Sequence, residues 1–372
     1  MKYKRIVAKL GTNLLTGGTD ELNIDIMSDI TRQLASLHGK GHEIILVSSG
    51  AVAAGRQKLS LTRDRKDIPF KQVLASVGQN QLMNTYEQLF NTHNITVAQA
   101  LLTKTNLSNR AGYLNARNTL LALIELGVIC IVNENDVVAT DEIGGVIFGD
   151  NDNLSALVAN LVDADLLVLL TDIDGLYTAN PQKSSTAQLI PEVKKIDSRI
   201  QRFASKTPGS HGVGGMATKV QAAKMATSCG ITMIIAGGQT ENVLERIVDG
   251  ERVGTLFTPQ TNKIESRKRW MLSGLASRGK LIVDEGAAAA LTRQNKSLLP
   301  AGIVELEGRF QRGNAVDIYD TKDNYLGCGI SNYNSNDINA IKGAQSQSVA
   351  AILGYEYGSE VIHRNNMVLM EE

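Results

Sequence analysis

The chain has 372 residues, and Lys plus Arg and Asp plus Glu both number 38. A single core rarely grows to that length, so two domains are expected. The balanced charge excludes a global attraction to nucleic acid or an anionic membrane, so any anion site must be local. Three cysteines, Cys130, Cys229 and Cys328, are odd in number, far apart and never in a C-x-x-C pair. That argues against a disulfide framework or structural zinc site and fits a reducing cytoplasm. The first ten residues carry basic side chains without a following apolar segment, and no stretch is apolar for long enough to span a bilayer, so a soluble protein is expected.

Short runs rich in Ile, Val and Leu at 5–10, 43–47, 128–132, 166–170 and 231–236 each lead into small or polar residues and then a helical pattern. This rhythm predicts βα units around a mostly parallel sheet. Segments 26–38, 71–90 and 115–126 space their apolar residues as amphipathic helices that cover it. In open α/β sheets ligands gather outside the carboxyl ends of the strands. The residues there are Lys9-Leu-Gly-Thr12, Ser48-Ser-Gly-Ala-Val-Ala-Ala-Gly55, Asn133-Glu-Asn-Asp136, Thr171-Asp172 with Gly175-Leu-Tyr177, and Gly237-Gly238. After Phe257 the pattern changes. Residues 258–275 are polar and basic, with Lys263, Arg267, Lys268 and Arg269, and predict a linker. From residue 276 short strand-like runs at 279–283, 303–306 and 315–319 alternate with Gly, Pro and Asn/Asp turns, which predicts a small β-rich barrel. The division is thus 1–257, 258–275 and 276–372.

No G-x-x-x-x-G-K-[ST] occurs, which excludes a P-loop, and no G-x-G-x-x-G follows the first strand, which disfavours a dinucleotide site. Lys9 stands at a strand end instead, with Gly11 permitting close backbone approach. Taken singly it reads as a solvated lysine. Gly212-Val-Gly-Gly-Met-Ala-Thr-Lys219 supplies a second element: a donor-rich loop leading into a helix over 219–229, where backbone N–H groups, helix dipole and the Lys219 ammonium can converge on phosphate. A flexible turn before an ordinary helix explains the loop alone, and Lys9 on another strand of the same sheet favours phosphate binding. A third element, Phe148-Gly-Asp-Asn-Asp-Asn-Leu-Ser155, packs two carboxylates and two amides before an apolar helix. Capping accounts for one such residue, not four. Asp150 and Asp152 are open to three roles: holding Mg²⁺ through water, orienting the lysines, or recognising an ammonium group. The spacing does not fit an EF-hand.

In order and spacing these motifs, with Val132-Asn-Glu-Asn-Asp136 and Gly149-Asp-Asn-Asp152, resemble the amino-acid kinase family, and in particular its branch that phosphorylates the side-chain carboxylate of L-glutamate. The tail from about residue 280, with Val283-Asp-Glu-Gly-Ala287 and Ser297-Leu-Leu-Pro-Ala-Gly302, is similar to a PUA domain. The resemblance covers nearly the whole chain. It implies an α/β fold with a mostly parallel sheet sandwiched by helices, plus a small C-terminal β-barrel-like PUA domain. It implies ATP and Mg²⁺ as cofactors, with Lys9 and Lys219 on the phosphates and Asp152 orienting them. Ser49, Asn133, Asp136, Asp150 and Asn151 would hold glutamate. Thr171 and Asp172, with the loop Val213, Gly214, Gly215, Met216, Ala217 and Thr218, would contact the nucleotide. It further implies a place in proline biosynthesis, proline as a feedback inhibitor, a homo-oligomer, and glutamyl phosphate reductase as a partner. Two departures stand out: Asn180-Pro181 where the family often has Asp-Pro, and a longer segment over 141–148.

A glutamate side chain, with an ordinary pKa near 4.3, is an anionic nucleophile at neutral pH and needs no general base. Scarcity of catalytic histidine is therefore expected. His38, His42 and His93 are expected at the surface, His363 lies near the tail, and His211 beside the glycine loop reads as solvated. Other family substrates, such as aspartate, acetylglutamate or a nucleoside monophosphate, are competing readings; a nucleotide acceptor would call for more Arg than the Asn133–Asp136 region offers. RNA binding through the C-terminal domain is a reading from another class. Residues 276–372 hold nine Lys or Arg against twelve Asp or Glu, opposite in sign to what phosphate binding favours, so RNA binding is not expected.

Overall fold

A computed structural model of the chain describes residues 1–60, 67–108, 110–139, 151–181, 183–205, 215–259 and 277–369. Two compact units emerge, residues 1–108 with 116–263, and residues 109–115 with 264–372. The basic cluster Lys263, Arg267, Lys268 and Arg269, the segment 141–148, Asp150, His211, Val213 and Gly214 lie outside the described residues.

In the first unit, β1 (Arg5–Leu10), β2 (Glu43–Ser48), β3 (Val97–Leu102), β4 (Ile129–Glu134), β5 (Leu166–Thr171), β6 (Glu192–Val193), β7 (Thr232–Gly237) and β8 (Thr255–Phe257) form one sheet in the order β3-β4-β2-β1-β5-β7-β8-β6. The described pairings are parallel except that of β7 with β8. Strand β5, Leu-Leu-Val-Leu-Leu-Thr, is buried along its whole length. Its apolar run does not alternate because helices cover both faces of a parallel sheet. The helices of this unit are α1 (Thr12–Thr16), α2 (Ile24–Gly39), α3 (Ala51–Leu59), α4 (Ile68–Asn91), α5 (Lys104–Ser108), the part of α6 (Arg110–Glu125) from residue 116 on, α7 (Asn151–Leu161), α8 (Ser198–Ser205), α9 (Met216–Ser228) and α10 (Val243–Val248). Ile6, Ala8, Leu46, Ile131 and Val168 of the sheet pack with Met27, Ile30 and Leu34 of α2 and Tyr86 and Phe90 of α4. None of the described helices is long and apolar enough to cross a membrane.

Local chemistry sets the helix starts. The Asn23 side chain accepts the Ile26 N–H ahead of α2, and Asp67 accepts the Phe70 N–H ahead of α4, both at 3.1 Å; each satisfies an amide the helix leaves unpaired. Helices α3 and α4 cross at two glycines. A Cβ on Gly55 would fall 1.9 Å from the Leu74 carbonyl oxygen, and one on Gly78 would fall 1.8 Å from that of Ala51. Only glycine permits this approach, which presses α4 against the elements that carry the site.

The second unit holds β9 (Gly279–Val283), β10 (Ile303–Gly308), β11 (Ala315–Asp320), β12 (Tyr325–Ile330) and β13 (Met367–Leu369) in the order β10-β9-β11-β12-β13. β9 and β11 are parallel and the other pairs antiparallel. Leu281, Val283, Phe310, Ile318 and Tyr333 lie in its core.

The five apolar runs of the first unit are β1, β2, β4, β5 and β7. The strand β3, Val-Ala-Gln-Ala-Leu-Leu, adds an edge that the sequence pattern did not reveal. It pairs only with β4 among the described strands and is nowhere fully buried, so its apolar content is diluted. His42 corrects another expectation: it is 6% exposed, and its Nδ1 lies 2.7 Å from the Tyr3 carbonyl oxygen. The turn after α2 folds back beneath the N-terminal strand, so a position that looks like a helix exit is enclosed.

Candidate active site

Strand order reverses across β1 and β5, since β2 lies on one side of the pair and β7 on the other. A crevice opens at such a switch point, beyond the carboxyl ends of the strands. Register places those ends level: Lys9 pairs with Val47 and with Leu169, Leu10 with Ser48, and Thr171 with Gly237. A cavity of about 650 Å³ lies there, and its wall includes Lys9, Ser49, Asn133, Asp136, Asn151, Asp152, Thr171, Asp172 and Lys219.

At its centre Asp152, in the first turn of α7, is 1% exposed. Lys9 Nζ lies 2.5 Å from Oδ1 and Lys219 Nζ 3.1 Å from Oδ2. Thr218 Oγ1 lies 2.8 Å from the same Oδ2. Burial acts to raise the Asp152 pKa, but the charges of Lys9 and Lys219 and the hydrogen bonds from Lys9 and Thr218 outweigh it and hold the carboxyl well below the usual carboxylate range. One anion thus fixes two cations brought from β1 and α9. The trio carries a net positive charge in a place largely shielded from water, a setting suited to a polyanion.

Beside it is a patch of amides and hydroxyls. Asn151 Nδ2 donates to Ser49 Oγ and to Asn133 Oδ1, each at 3.0 Å. Asn133 Nδ2 donates to Gln79 Oε1 at 2.8 Å. Ser48, the last residue of β2, shares a 2.7 Å hydrogen bond with the buried Tyr86 hydroxyl of α4. Asp136 lies on the same wall, and burial pushes its carboxyl up to about 6. On the side of β5, Thr171 Oγ1 donates to Asp172 Oδ1 at 2.8 Å and Asn13 Nδ2 to Asp172 Oδ2 at 3.2 Å.

The structure therefore gathers the expected Lys9, Ser49, Asn133, Asp136, Asn151, Asp152, Thr171, Asp172 and Lys219 around one cavity, and Thr218 reaches Asp152. Met216, Ala217 and Thr218, expected in a loop, instead form the first turn of α9, which begins after the extended Gly215. Lys219 is consequently the fourth helical residue. Asn180 lies in a turn, its carbonyl accepting the Lys183 and Ser184 amides. Sequence reasoning missed Asn13, Arg56, Lys71 and Gln239 on the cavity wall and Gln79 behind it. None stands in a motif at a strand end, and Gln79 sits on a long helix where an isolated polar residue reads as solvent-facing.

The profile of the Amino acid kinase family matches residues 4–237, and that of the PUA domain matches residues 279–353. A protein named glutamate 5-kinase from Dehalococcoides mccartyi is 56% identical over 368 residues, covering 99% of both chains. Proteins of the same name from Herpetosiphon aurantiacus and Caldanaerobacter subterraneus are 50% and 46% identical over 366 and 367 residues, covering 98% and 99% of this chain and 98% of each relative. With such matches running nearly end to end, the chain belongs to the amino acid kinase family and, within it, to the glutamate 5-kinases.

Proposed function

We propose that the cavity transfers the γ-phosphoryl group of ATP to the side-chain carboxylate of L-glutamate, giving glutamyl 5-phosphate and ADP, the first step of proline biosynthesis. The observation that carries this reading is the buried Asp152 held between Lys9 and Lys219, directly beside the amide cluster of Asn133 and Asn151. A carboxylate oxygen attacks the γ-phosphorus, the bond to the bridging oxygen breaks, and the electron pair leaves with ADP. No proton need move, which agrees with a described cavity wall that contains no histidine.

The physical obstacle is repulsion between carboxylate and triphosphate. Lys9 and Lys219 offset it on the phosphate oxygens, while Asp152, itself held by the Thr218 hydroxyl, fixes the two ammonium groups so that little reorganisation accompanies transfer. Thr171 and Asp172 receive the nucleotide from the β5 side, and the segment 213–218 contacts it as well. Ser49, Asn133, Asp136, Asp150 and Asn151 hold the amino acid, with carboxylates on its ammonium and hydroxyl and amide groups on its carboxylates. Mg²⁺ would enter with the nucleotide and would supply further positive charge at the phosphate oxygens. The described residues gather no cluster of three His, Cys, Asp or Glu side chains for a metal, and both Asp152 oxygens are engaged by lysine, so no step is assigned to the metal.

The product is a reactive mixed anhydride, which makes glutamyl phosphate reductase the partner we propose, with the chain acting as a homo-oligomer under proline feedback. Cys130, Cys229 and Cys328 are all free thiols, in keeping with a cytoplasmic setting. An ADP-release assay with a panel of acceptors tests the reading. Glutamate should give the highest kcat/KM, with aspartate, acetylglutamate and UMP far behind; turnover with one of these in place of glutamate would move the chain to another substrate.

A further inference from the structure

One further inference deepens the proposed amino-acid site and rests on it. Three side-chain amides run in series from behind the cavity to its wall: Gln79 of α4, Asn133 near the end of β4 and Asn151 at the start of α7. Asn133 Oδ1 accepts the Glu134 backbone N–H at 2.8 Å as well as Asn151 Nδ2 at 3.0 Å. A backbone N–H can only donate, so this contact tells Asn133 which of its two amide atoms is oxygen. Its Nδ2 then points the other way, and with Asn133 only 2% exposed that donor needs an acceptor inside the protein. Gln79 Oε1 is that acceptor, at 2.8 Å.

The polarity passes on to Asn151. Its Nδ2 is used on Asn133 Oδ1 and on Ser49 Oγ. Asn151 Oδ1 is itself buried, with no hydrogen-bond partner among the described residues. One consequence reaches the cavity. Ser49 Oγ already accepts from Asn151, so its own O–H is available to donate. Were the Asn151 amide turned over, its oxygen would face Ser49 and the Ser49 hydrogen would be drawn back into the protein.

We propose that Gln79 is a positioning residue for the amino-acid substrate. It locks the orientation of Asn133 and, through it, that of Asn151, so that the Ser49 hydroxyl on the cavity wall is left to donate to a substrate carboxylate oxygen. Gln79 does not line the cavity and acts only through the two asparagines. Helix α4 brings it there because the Gly55–Gly78 crossing holds the turn before it against α3.

The test uses the full chain with Gln79→Met, which keeps the length and removes the acceptor, and Gln79→Glu, which keeps an acceptor for Asn133. Both are assayed on the acceptor that the wild-type panel identifies, so failure of glutamate as substrate and failure of the relay are separate results. Q79M should raise the KM for the amino acid by about tenfold or more and leave the KM for ATP within about twofold. Q79E should stay within about threefold of wild type on both. In an Asn133→Leu background the relay is already cut, so adding Q79M should change the amino-acid KM by less than about twofold. An unaltered amino-acid KM in Q79M, equal damage from Q79E, or full multiplicative loss in the double variant would overturn the proposal. If Q79M does not fold, the wild-type protein answers alone: the Gln79 side-chain amide resonance, assigned by its loss in Q79E, should shift on adding the amino acid and not on adding ATP, and an unmoved resonance would overturn the relay.

Discussion

Asp152 stands 143 residues from Lys9 and 67 from Lys219 along the chain, yet the three make one charged unit. Lys9→Ala and Lys219→Ala should each lower kcat by about a hundredfold or more, the scale of losing one electrostatic contact to the transferring group, while circular dichroism shows an intact fold. Unchanged turnover would remove that lysine from the chemistry. Asp136 provides a different kind of test. Its carboxyl is raised to about 6 by burial, so between the ordinary aspartate value and about 6 the folded protein binds a proton that the unfolded chain releases. This group therefore favours folding most at low pH, and its contribution falls as pH rises through about 6. Binding a substrate ammonium has the opposite preference and needs the ionised form. The KM for glutamate should accordingly fall as pH rises through about 6, and Asp136→Asn should flatten that dependence. A wild-type KM that is flat from pH 5 to 7 would separate Asp136 from the ammonium group. At this scale the sequence was legible where chemistry sits at a strand end, as with Lys9, Ser49, Asn133 and Thr171. Gln79 was not legible, because its partner is 54 residues away and nothing local distinguishes it from a surface glutamine.

Helices α3 and α4 both contribute to the cavity wall, and their closeness depends on two missing methyl groups. Alanine is the better helix former by about 0.8–1.0 kcal/mol. At Gly55 or Gly78, however, its Cβ would have to enter a space less than 2 Å from a backbone oxygen. Overpacking of that kind costs about 1–3 kcal/mol, and here backbone rather than a flexible side chain must yield. Gly55→Ala and Gly78→Ala should each lower the denaturant midpoint despite the gain in propensity, and Gly78→Ala should also raise the glutamate KM by shifting Gln79. A variant as stable as wild type with an unaltered KM would show that α4 moves freely. The sequence disclosed the elements whose burial is two-sided: β1, β2, β4, β5 and β7 are dense in Ile, Val and Leu because both faces are covered. It concealed β3, whose pairing on one edge relaxes that demand, and it placed the start of α9 three residues late, since Gly215 caps the helix without a side-chain signature.

Across the whole molecule, a catalytic unit built on a topological switch point stands in one chain with a smaller, mostly antiparallel unit whose strands leave no basic excess in residues 276–372. Strand order was not readable from the sequence, because periodicity identifies strands without saying which neighbours pair. The rim at which the motifs gather was readable, since ligands collect at carboxyl strand ends whatever the order. We propose that, at this rim, two lysines fixed by one carboxylate serve a nucleophile that is itself a carboxylate. Trapping the product with hydroxylamine tests this most directly. Protein supplied with ATP and glutamate should yield the hydroxamate of the glutamate side-chain carboxyl in step with ADP, and Lys219→Ala should lose both together. Glutamate-dependent ADP release with no hydroxamate in a fresh, trapped reaction would contradict phosphorylation of a carboxylate.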